Sequence, residues 1–190
     1  MFISNVDSGL ERLLRARLPL PEEVGDVAFD VPTSGWSAQL SRITVNLFLY
    51  DVQRSAQPSR SATLRPEENG GSLVRRRPQP MVQLGYLVSA WAGNPRDEHQ
   101  LLGHLVSILA GTEALPEEYV VGDLSSTVRL SLGDEKTQAR DIWGVVGGTL
   151  KAAVVLQVTV AADTFDWEEQ APAVTRIEAL ANRWEEPVDA

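Results

Sequence analysis

The sequence predicts an α/β (α+β) fold, in which one mixed sheet is flanked by helices within a single domain. Two stretches, 42–51 and 81–91, are dense in aliphatic, β-branched and aromatic residues, as buried strands are. Two further stretches, 5–18 and 94–110, place leucines at helical spacing. A chain of 190 residues is long enough for one domain with a decorated edge. We therefore expect these helices to pack on a sheet that contains both strands.

The first helix is predicted from about residue 5 to Leu18. Glu11, Arg12 and Arg15 lie opposite its apolar face, and two prolines follow it. Either Asn5 or Asp7 has the side chain needed to cap the start of the helix. The residues expected on its buried face are Val6, Leu10, Leu13, Leu14 and Leu18.

Two strands are predicted next. Residues 26–31 alternate between polar and apolar and end at Pro32, which is typical of an edge strand. Residues 42–51 form a clearer strand, with polar side chains only at Thr44 and Asn46 between its first arginine and its final aspartate. This strand should lie deeper in the sheet.

The stretch 81–91 is almost continuously apolar, which predicts a strand buried on both faces. Asn94 is placed to cap the following helix, Pro95 suits its first turn, and Gly111 ends it. Residues 126–132 and 151–161 have the pattern of two further strands, with a short helix through Ile142 and Trp143 between them. We expect the strands 42–51, 81–91 and 151–161 to be neighbours. The residues expected to be buried are Leu47, Leu49, Tyr86, Val88, Leu102, Leu105 and Val155.

Residues 53–80 form a long polar insert between the two best strands. The insert contains serines, prolines and an Asn-Gly-Gly turn signal, which favour a loop or a mobile hairpin with strands at 59–65 and 73–77. Its six arginines outnumber Glu67 and Glu68, so the stretch from the first to the last arginine carries a net charge of +4. These arginines are Arg54, Arg60, Arg65, Arg75, Arg76 and Arg77.

Charge is distributed unevenly along the chain. The net charge is −9, but residues 1–95 carry ten basic and nine acidic side chains, whereas residues 96–190 carry seven and seventeen. The segment 163–190 alone has a net charge of −6, and we assign it as an acidic C-terminal extension to a domain at 1–162. Asymmetry of this kind bears on association rather than on fold.

No group of residues in the sequence predicts a catalytic or metal site. His99 and His104 are five residues apart, so on a helix they point about 140° away from each other and cannot hold one metal ion. The glycines of 144–148 follow a predicted helix rather than a strand, which indicates a helix end and not a phosphate loop. Adjacent acids such as Glu117 and Glu118 suit solvated surface.

Composition also limits the partners and the cellular location that we expect for the protein. A pI of about 4.7, with no aromatic residue among the insert arginines, argues against nucleic acid as the partner. The chain has no cysteine, no apolar run long enough to span a membrane, and no signal-peptide pattern at its start. We expect a protein that folds in the cytoplasm and uses no cofactor.

Three stretches together resemble a known family. They are 45–51 (VNLFLYD), 84–91 (LGYLVSAW) and 98–103 (EHQLLG), in this order and separated by an arginine- and proline-bearing loop. This arrangement is similar to the cap, or tube-terminator, proteins of phage-tail-like extracellular contractile injection systems. Ser89 stands where the family usually has threonine, which is a conservative change. The resemblance covers about residues 3–160.

The resemblance implies a fold akin to phage tail terminators and a structural role without enzymatic activity. The family's cap is a ring, six-fold by expectation, that closes the distal end of the inner tube and sheath and holds the sheath extended. Its partners would be further copies of itself, the tube protein and the sheath protein. Assembly would be cytoplasmic, and whether the particle then leaves the cell stays open.

A ring of identical copies needs two complementary patches on each subunit. The insert arginines are one candidate patch, and acids of the extension are the other, namely Glu168, Glu169, Glu185 and Glu186. Two other classes of protein remain open at this point. One is a small-ligand-binding or hydrolytic α/β domain, and the other is a stand-alone regulatory interaction module.

Overall fold

The computed structural model describes residues 1–58, 62–66, 73–133 and 137–169. Within them the helices are α1 (Phe2–Arg17), α2 (Ser34–Ser37), α3 (Pro95–Ala110) and α4 (Ala139–Val146). The strands are β1 (Gly25–Ala28), β2 (Ile43–Arg54), β3 (Thr63–Pro66), β4 (Leu73–Arg76), β5 (Met81–Trp91), β6 (Arg129–Leu132), β7 (Ala153–Ala161) and β8 (Trp167–Glu169). They form a five-stranded sheet, in the order β1-β2-β5-β7-β6, and a three-stranded sheet, in the order β3-β4-β8.

Strand β5 lies at the centre of the five-stranded sheet, antiparallel to β2 on one side and to β7 on the other. This confirms that the three strands predicted to be neighbours lie side by side. Strand β1 pairs in parallel with β2 and occupies an edge, as its alternating pattern and the proline after it indicated. The sheet is therefore mixed, and the predicted fold class is confirmed.

The two faces of β5 are buried against different helices. Leu84, Tyr86, Val88 and Ala90 belong to a large apolar cluster with the leucines of α1 and α3. Leu87 and Trp91 belong to a second cluster that includes Ile142 and Trp143 of α4, with Trp36 of α2 packed against it. Residues 84–91 are all buried, so neither face of this part of β5 meets water, which explains its nearly unbroken apolar run.

Helix α1 has the predicted apolar face but not the predicted cap. Val6, Leu10, Leu13 and Leu14 are all fully buried in the first cluster. The helix begins at Phe2, with Met1 at the cap position, so neither Asn5 nor Asp7 caps it. The Asp7 side chain instead accepts a hydrogen bond of 2.7 Å from the Tyr86 hydroxyl in β5. This contact joins the helix to the central strand.

Helix α3 follows the predicted pattern at both ends. The Asn94 side chain accepts a hydrogen bond of 3.0 Å from the backbone N–H of Asp97, and Gly111 stands at the C-terminal end. Leu101, Leu105 and Leu109 form its buried stripe.

Two residues expected to be fully buried, Leu49 and Leu102, are only half-buried. Leu102 lies one step of about 100° around the helix from Leu101, at the flank of the stripe. Leu49 lies where β2 begins to run beyond the cover of the helices, and residues 51–54 are exposed. The other five residues expected in the core are buried.

A bulge in β2 is matched by a glycine in its neighbour. The pairing of β2 with β5 shifts between Leu49 and Asp51, at Tyr50. A Cβ atom at Gly85 would lie 2.8 Å from Cζ of Tyr50, which is closer than two non-bonded carbon atoms approach each other. Glycine at position 85 therefore leaves the space that the displaced Tyr50 ring occupies.

The second face of the sheet is organised around Trp91. Its ring makes edge-to-face contacts with Trp36 and Trp143, at centroid distances of 5.4 and 6.1 Å, and its Nε1–H donates to the Ser89 hydroxyl at 3.0 Å. Lys151 Nζ lies 4.0 Å from the Trp91 ring centroid and forms a salt bridge with Glu98. The aromatic contacts and the ion pair together hold α2, α3, α4 and the residue Lys151, which precedes β7, against one side chain.

The glycine-rich stretch 144–148 ends a helix, as the sequence indicated. Helix α4 runs to Val146, and Gly147 follows with φ 71°, the left-handed conformation that glycine adopts most easily. Its carbonyl accepts a hydrogen bond of 3.1 Å from the Ser34 hydroxyl of α2. The glycines thus tie the two short helices together.

A matched pair of substitutions tests the core assignment of α3. We expect Leu105→Ala to lower the free energy of unfolding by about 2–5 kcal/mol, because the side chain is fully buried. Leu102→Ala should cost clearly less, because that side chain is only partly buried. Both changes lie in the same helix, so helix propensity cancels. Denaturant unfolding measures the difference, and equal losses would contradict the assignment.

The contact between Asp7 and Tyr86 predicts a pH dependence of stability. Burial raises the pKa of the Asp7 carboxyl above its ordinary value of 3.8, although the hydrogen bond from Tyr86 partly opposes the shift. The folded state therefore keeps this proton to higher pH than the unfolded chain. The stabilising contribution is complete below pH 3.8 and is lost as pH rises through the raised pKa.

We expect Asp7→Asn to keep the contact with Tyr86 and to remove the loss of stability that the wild type shows as the pH rises. The variant should be more stable than the wild type at neutral pH, and the difference should shrink as pH falls towards 3.8. Asp51→Asn, which changes an exposed carboxylate, is the control. Unfolding free energies measured across this pH range decide the point, and a variant whose advantage grows towards acid pH would contradict it.

Candidate functional site

The second, smaller sheet carries five of the ten charged residues that the sequence singled out. Strands β3 and β4 pair antiparallel, with Thr63 opposite Arg76 and Pro66 opposite Leu73. The hairpin predicted for this stretch is therefore present in the described residues, with strands close to the expected positions. Arg60 and the predicted turn lie outside the described residues.

The third strand of this sheet comes from the acidic extension 163–190, hereafter the tail. Strand β8 pairs antiparallel with β4, so that Trp167 lies opposite Arg76 and Glu168 opposite Arg75. The arginines of the hairpin and the first acids of the tail thus become neighbours within one chain. Glu185 and Glu186 lie outside the described residues.

Gln79 fixes the tail to the hairpin. Its side chain is 4% exposed, and its Oε1 accepts hydrogen bonds from the backbone N–H groups of Thr164 and Phe165, at 2.7 and 3.0 Å. Its Nε2 donates to the carbonyl of Phe165 at 2.7 Å. A buried amide that satisfies three backbone groups acts as a short piece of strand. It brings the segment before β8 into line with β4.

The inner face of the small sheet joins arginines to aromatic rings. The guanidinium of Arg65 lies 4.2 Å from the Trp167 ring centroid, and that of Arg76 lies 5.9 Å from it. Arg76 also donates to the carbonyl of Phe165 at 2.7 Å and forms an ion pair of 3.5 Å with Asp163. These contacts hold Arg76 to the fold.

Arg77 and Glu168 form a two-point ion pair within the chain. Arg77 Nη2 lies 2.6 Å from Oε1 of Glu168, and its Nε lies 3.2 Å from Oε2. The guanidinium also lies 5.6 Å from the Phe165 ring centroid. This geometry is the parallel fork that makes arginine–carboxylate pairs specific.

The outer face of the small sheet has a different character. In an antiparallel sheet, directly opposite residues share a face, so the registers place Leu64, Pro66, Leu73, Arg75 and Glu168 together. Leu64 and Leu73 are 54% and 51% exposed, whereas Val74 on the inner face is 8% exposed. We refer to these five residues as the outer face. It presents aliphatic surface beside a cation.

The predicted site residues thus fall into distinct groups. Arg65, Arg76, Arg77 and Glu168 contact other described residues of the same chain. Arg54, at the end of β2, and Arg75 are exposed and make no ion pair with any residue that the structure describes. Glu169 is exposed at the end of β8. Whether these residues bind another protein stays a prediction.

Sequence reasoning missed the residues that hold this site together. Gln79, Phe165 and Trp167 make its central contacts, although none belongs to a recognisable motif. The only signal was three aromatic residues, Phe165, Trp167 and Trp184, in the acidic extension 163–190. The aromatic partners that the insert itself lacks are supplied from outside it.

The described residues hold no group of three or more histidine, aspartate or glutamate side chains placed to bind a metal ion. His99 and His104 are exposed on α3, and of the pair Glu98 and His99 it is the glutamate that supports local structure, since it accepts from the Ala92 N–H at 3.2 Å. A cleft of about 480 Å³ borders Trp91, Glu98 and Lys151. Its two charged groups already pair with each other.

No helix in the part of the chain that the structure describes is long and apolar enough to cross a bilayer.

The fold is that of a tube terminator. Over 96% of this chain, the structure is similar to the sheath/tube terminator of an extracellular contractile injection system, PVC, in its extended state, with a TM-score of 0.69 and 20% identity. Over 93% of the chain, it is similar to the tube-terminating cap of the anti-feeding prophage, AFP, with a TM-score of 0.63 and 18% identity. The matches span 64% and 60% of those two chains.

The family follows from the sequence. The Pvc16 N-terminal domain model matches residues 5–176, and the chain belongs to this family. No curated protein matches the chain. The resemblance carried by the three stretches 45–51, 84–91 and 98–103 is thereby confirmed.

Gln79 offers a direct test of how the tail is held. Gln79→Ala leaves the N–H groups of Thr164 and Phe165 without their acceptor, and losing such a buried partner costs about 1–3 kcal/mol. We expect hydrogen exchange in the peptide 162–169 to accelerate, while exchange in β5 stays slow. Gln53→Ala, in the exposed end of β2, is the control. Unchanged exchange at Thr164 and Phe165 would show that the amide does not hold the tail.

Proposed function

We propose that this protein is a structural cap of a contractile injection system. It forms a ring that closes the distal end of the inner tube and sheath, stops their polymerisation and stabilises the extended sheath. The observation that carries the proposal is the family match over residues 5–176. The similarity of the fold to two terminators, one of them solved in the extended state, supports it.

The proposed partners are other copies of this chain, the tube protein and the sheath protein. A homohexamer is the proposed stoichiometry, because a terminator must match the symmetry of the tube that it closes. This chain spans less than two thirds of the length of either solved neighbour. We propose cytoplasmic assembly of the particle.

We propose that the protein is not an enzyme. Glu98 and Lys151, the charged groups beside the cleft that borders Trp91, neutralise each other, and Lys151 packs on the Trp91 ring. The positions of both residues are therefore explained by contacts that stabilise the fold. A small-ligand-binding or hydrolytic domain would instead present unpaired polar groups that converge on one pocket. A stand-alone regulatory module would bind neither tube nor sheath.

We also propose the domain division expected from the sequence. It consists of a terminator-like domain at 1–162, with the arginine-bearing insert 53–80, and an acidic extension at 163–190. The contacts of Gln79 and Arg76 with residues 163–165 support a firm junction between the two parts.

Removal of the protein from a particle-producing cell tests the proposal. We expect tubes and sheaths of variable length, or sheaths that contract early, because nothing then stops growth at a defined end. Re-expression of the wild-type chain should restore uniform extended particles, and Leu105→Ala, which weakens the core, should restore fewer. Electron microscopy of particle lengths gives the answer. Uniform extended particles in the absence of the protein would contradict the proposed function.

A further inference from the structure

The residues of the outer face are exposed, and four of them, namely Leu64, Pro66, Leu73 and Arg75, together have the composition of a contact surface. Leu64, Pro66 and Leu73 present aliphatic surface on one side of two short strands, and Arg75 stands beside them. Exposed aliphatic groups grouped with an arginine are typical of protein interfaces rather than of solvated surface. The chemistry of its occupant should be apolar and acidic.

A surface of that chemistry exists in the same chain. Residues 111–128 contain four acids and no lysine or arginine. The acids Glu113, Glu117, Glu118 and Asp123 are all exposed. None of them forms an ion pair with any residue that the structure describes. We refer to 111–128 as the acidic loop.

The acidic loop is held firmly enough to present these charges in a fixed arrangement. Leu115 is 4% exposed and its backbone N–H donates to the carbonyl of Val128 at 2.9 Å, while the carbonyl of Glu113 accepts from Leu130 at 2.9 Å. Tyr119, Val120 and Val121 are half-buried, so the loop also offers apolar surface between its acids. Its composition complements that of the outer face.

We propose that the outer face of one copy docks on the acidic loop of a second copy. The two surfaces differ, so the contact is head-to-tail, and repetition of such a contact closes a ring when the rotation allows. The proposal rests on the ring of the proposed function, and it names the two surfaces that build it. It also replaces the tail acids as the acidic partner, because Glu168 is already paired with Arg77 in its own chain.

The assignment separates one arginine from its neighbours. Arg75 lies on the outer face and is available, whereas Arg76 and Arg77 hold the tail and cannot be changed without loosening it. A single exposed charge pair is worth only about 0–1 kcal/mol, so the aliphatic residues must supply much of the contact. The contribution of the charge and that of the aliphatic residues can be tested separately.

The charge test uses two variants and their mixture. Arg75→Glu reverses the charge at the cation of the outer face, and Glu117→Lys with Glu118→Lys reverses the charge at the centre of the acidic loop and makes its net charge zero. Each variant alone places like charges together, so its self-association should weaken by about tenfold or more. In an equal mixture, each copy meets two copies of the other variant across opposite charges, and a ring with an even number of subunits can close. Self-association should then return to within about threefold of the wild type.

Sedimentation velocity at low ionic strength measures these associations, because salt screens exposed charges beyond about 8 Å at physiological strength. Arg12→Glu, an exposed arginine of α1 with the same change of charge, should behave as the wild type. Leu73→Ser should weaken association and Val145→Ser should not, although both residues are exposed. Circular dichroism confirms that each variant is folded.

Every outcome decides the proposal. A wild-type chain that stays monomeric, an Arg75→Glu variant that associates normally, or a mixture that fails to recover would each overturn it. Failure of the mixture when both single variants are weakened would show that the two surfaces belong to different contacts between copies and do not bind each other. The result is independent of the removal experiment, since copies can associate in solution whether or not they cap a particle.

Discussion

Strand β5 has no face towards solvent, and this constraint determines the layers on either side of it. Tyr86 and Val88 require the leucine faces of α1 and α3, while Leu87 and Trp91 require α2 and α4. A strand buried in this way must also find its hydrogen-bond partners on both sides, which β2 and β7 supply. In the sequence, β3 and β4 lie between β2 and β5, and β8 follows β7. The position of the smaller sheet therefore depends on that of the central strand, β5.

The stretches that resemble the family contain polar residues whose roles are structural. Asn46 is fully buried and its amide exchanges two hydrogen bonds with the backbone of Asp30, which fixes the chain after β1. Ser89 accepts from Trp91, and Glu98 pairs with Lys151. A pattern that marks a family can therefore consist of buried hydrogen bonds rather than of a reactive site. This fits the structural role proposed for the chain.

The main sheet and the long helices could be predicted because their signals are local. An apolar run, a leucine repeat or a capping Asn94 is visible in neighbouring residues. The role of Asp7 could not be predicted, because its partner Tyr86 lies 79 positions away in sequence. The same holds for β8, whose three residues have no strand pattern and pair only because Gln79 aligns the preceding backbone. The arginines were found from composition, but composition could not separate Arg75 from Arg77.

The central claim is that this chain forms the end of a particle, and a reconstruction of intact particles by electron cryomicroscopy tests it most directly. The account predicts a ring of copies at one end only, where the tube stops, with each sheet oriented so that the small sheet of one copy faces the next. Particles that carry this chain along their length, or whose ends lack it altogether, would contradict the account.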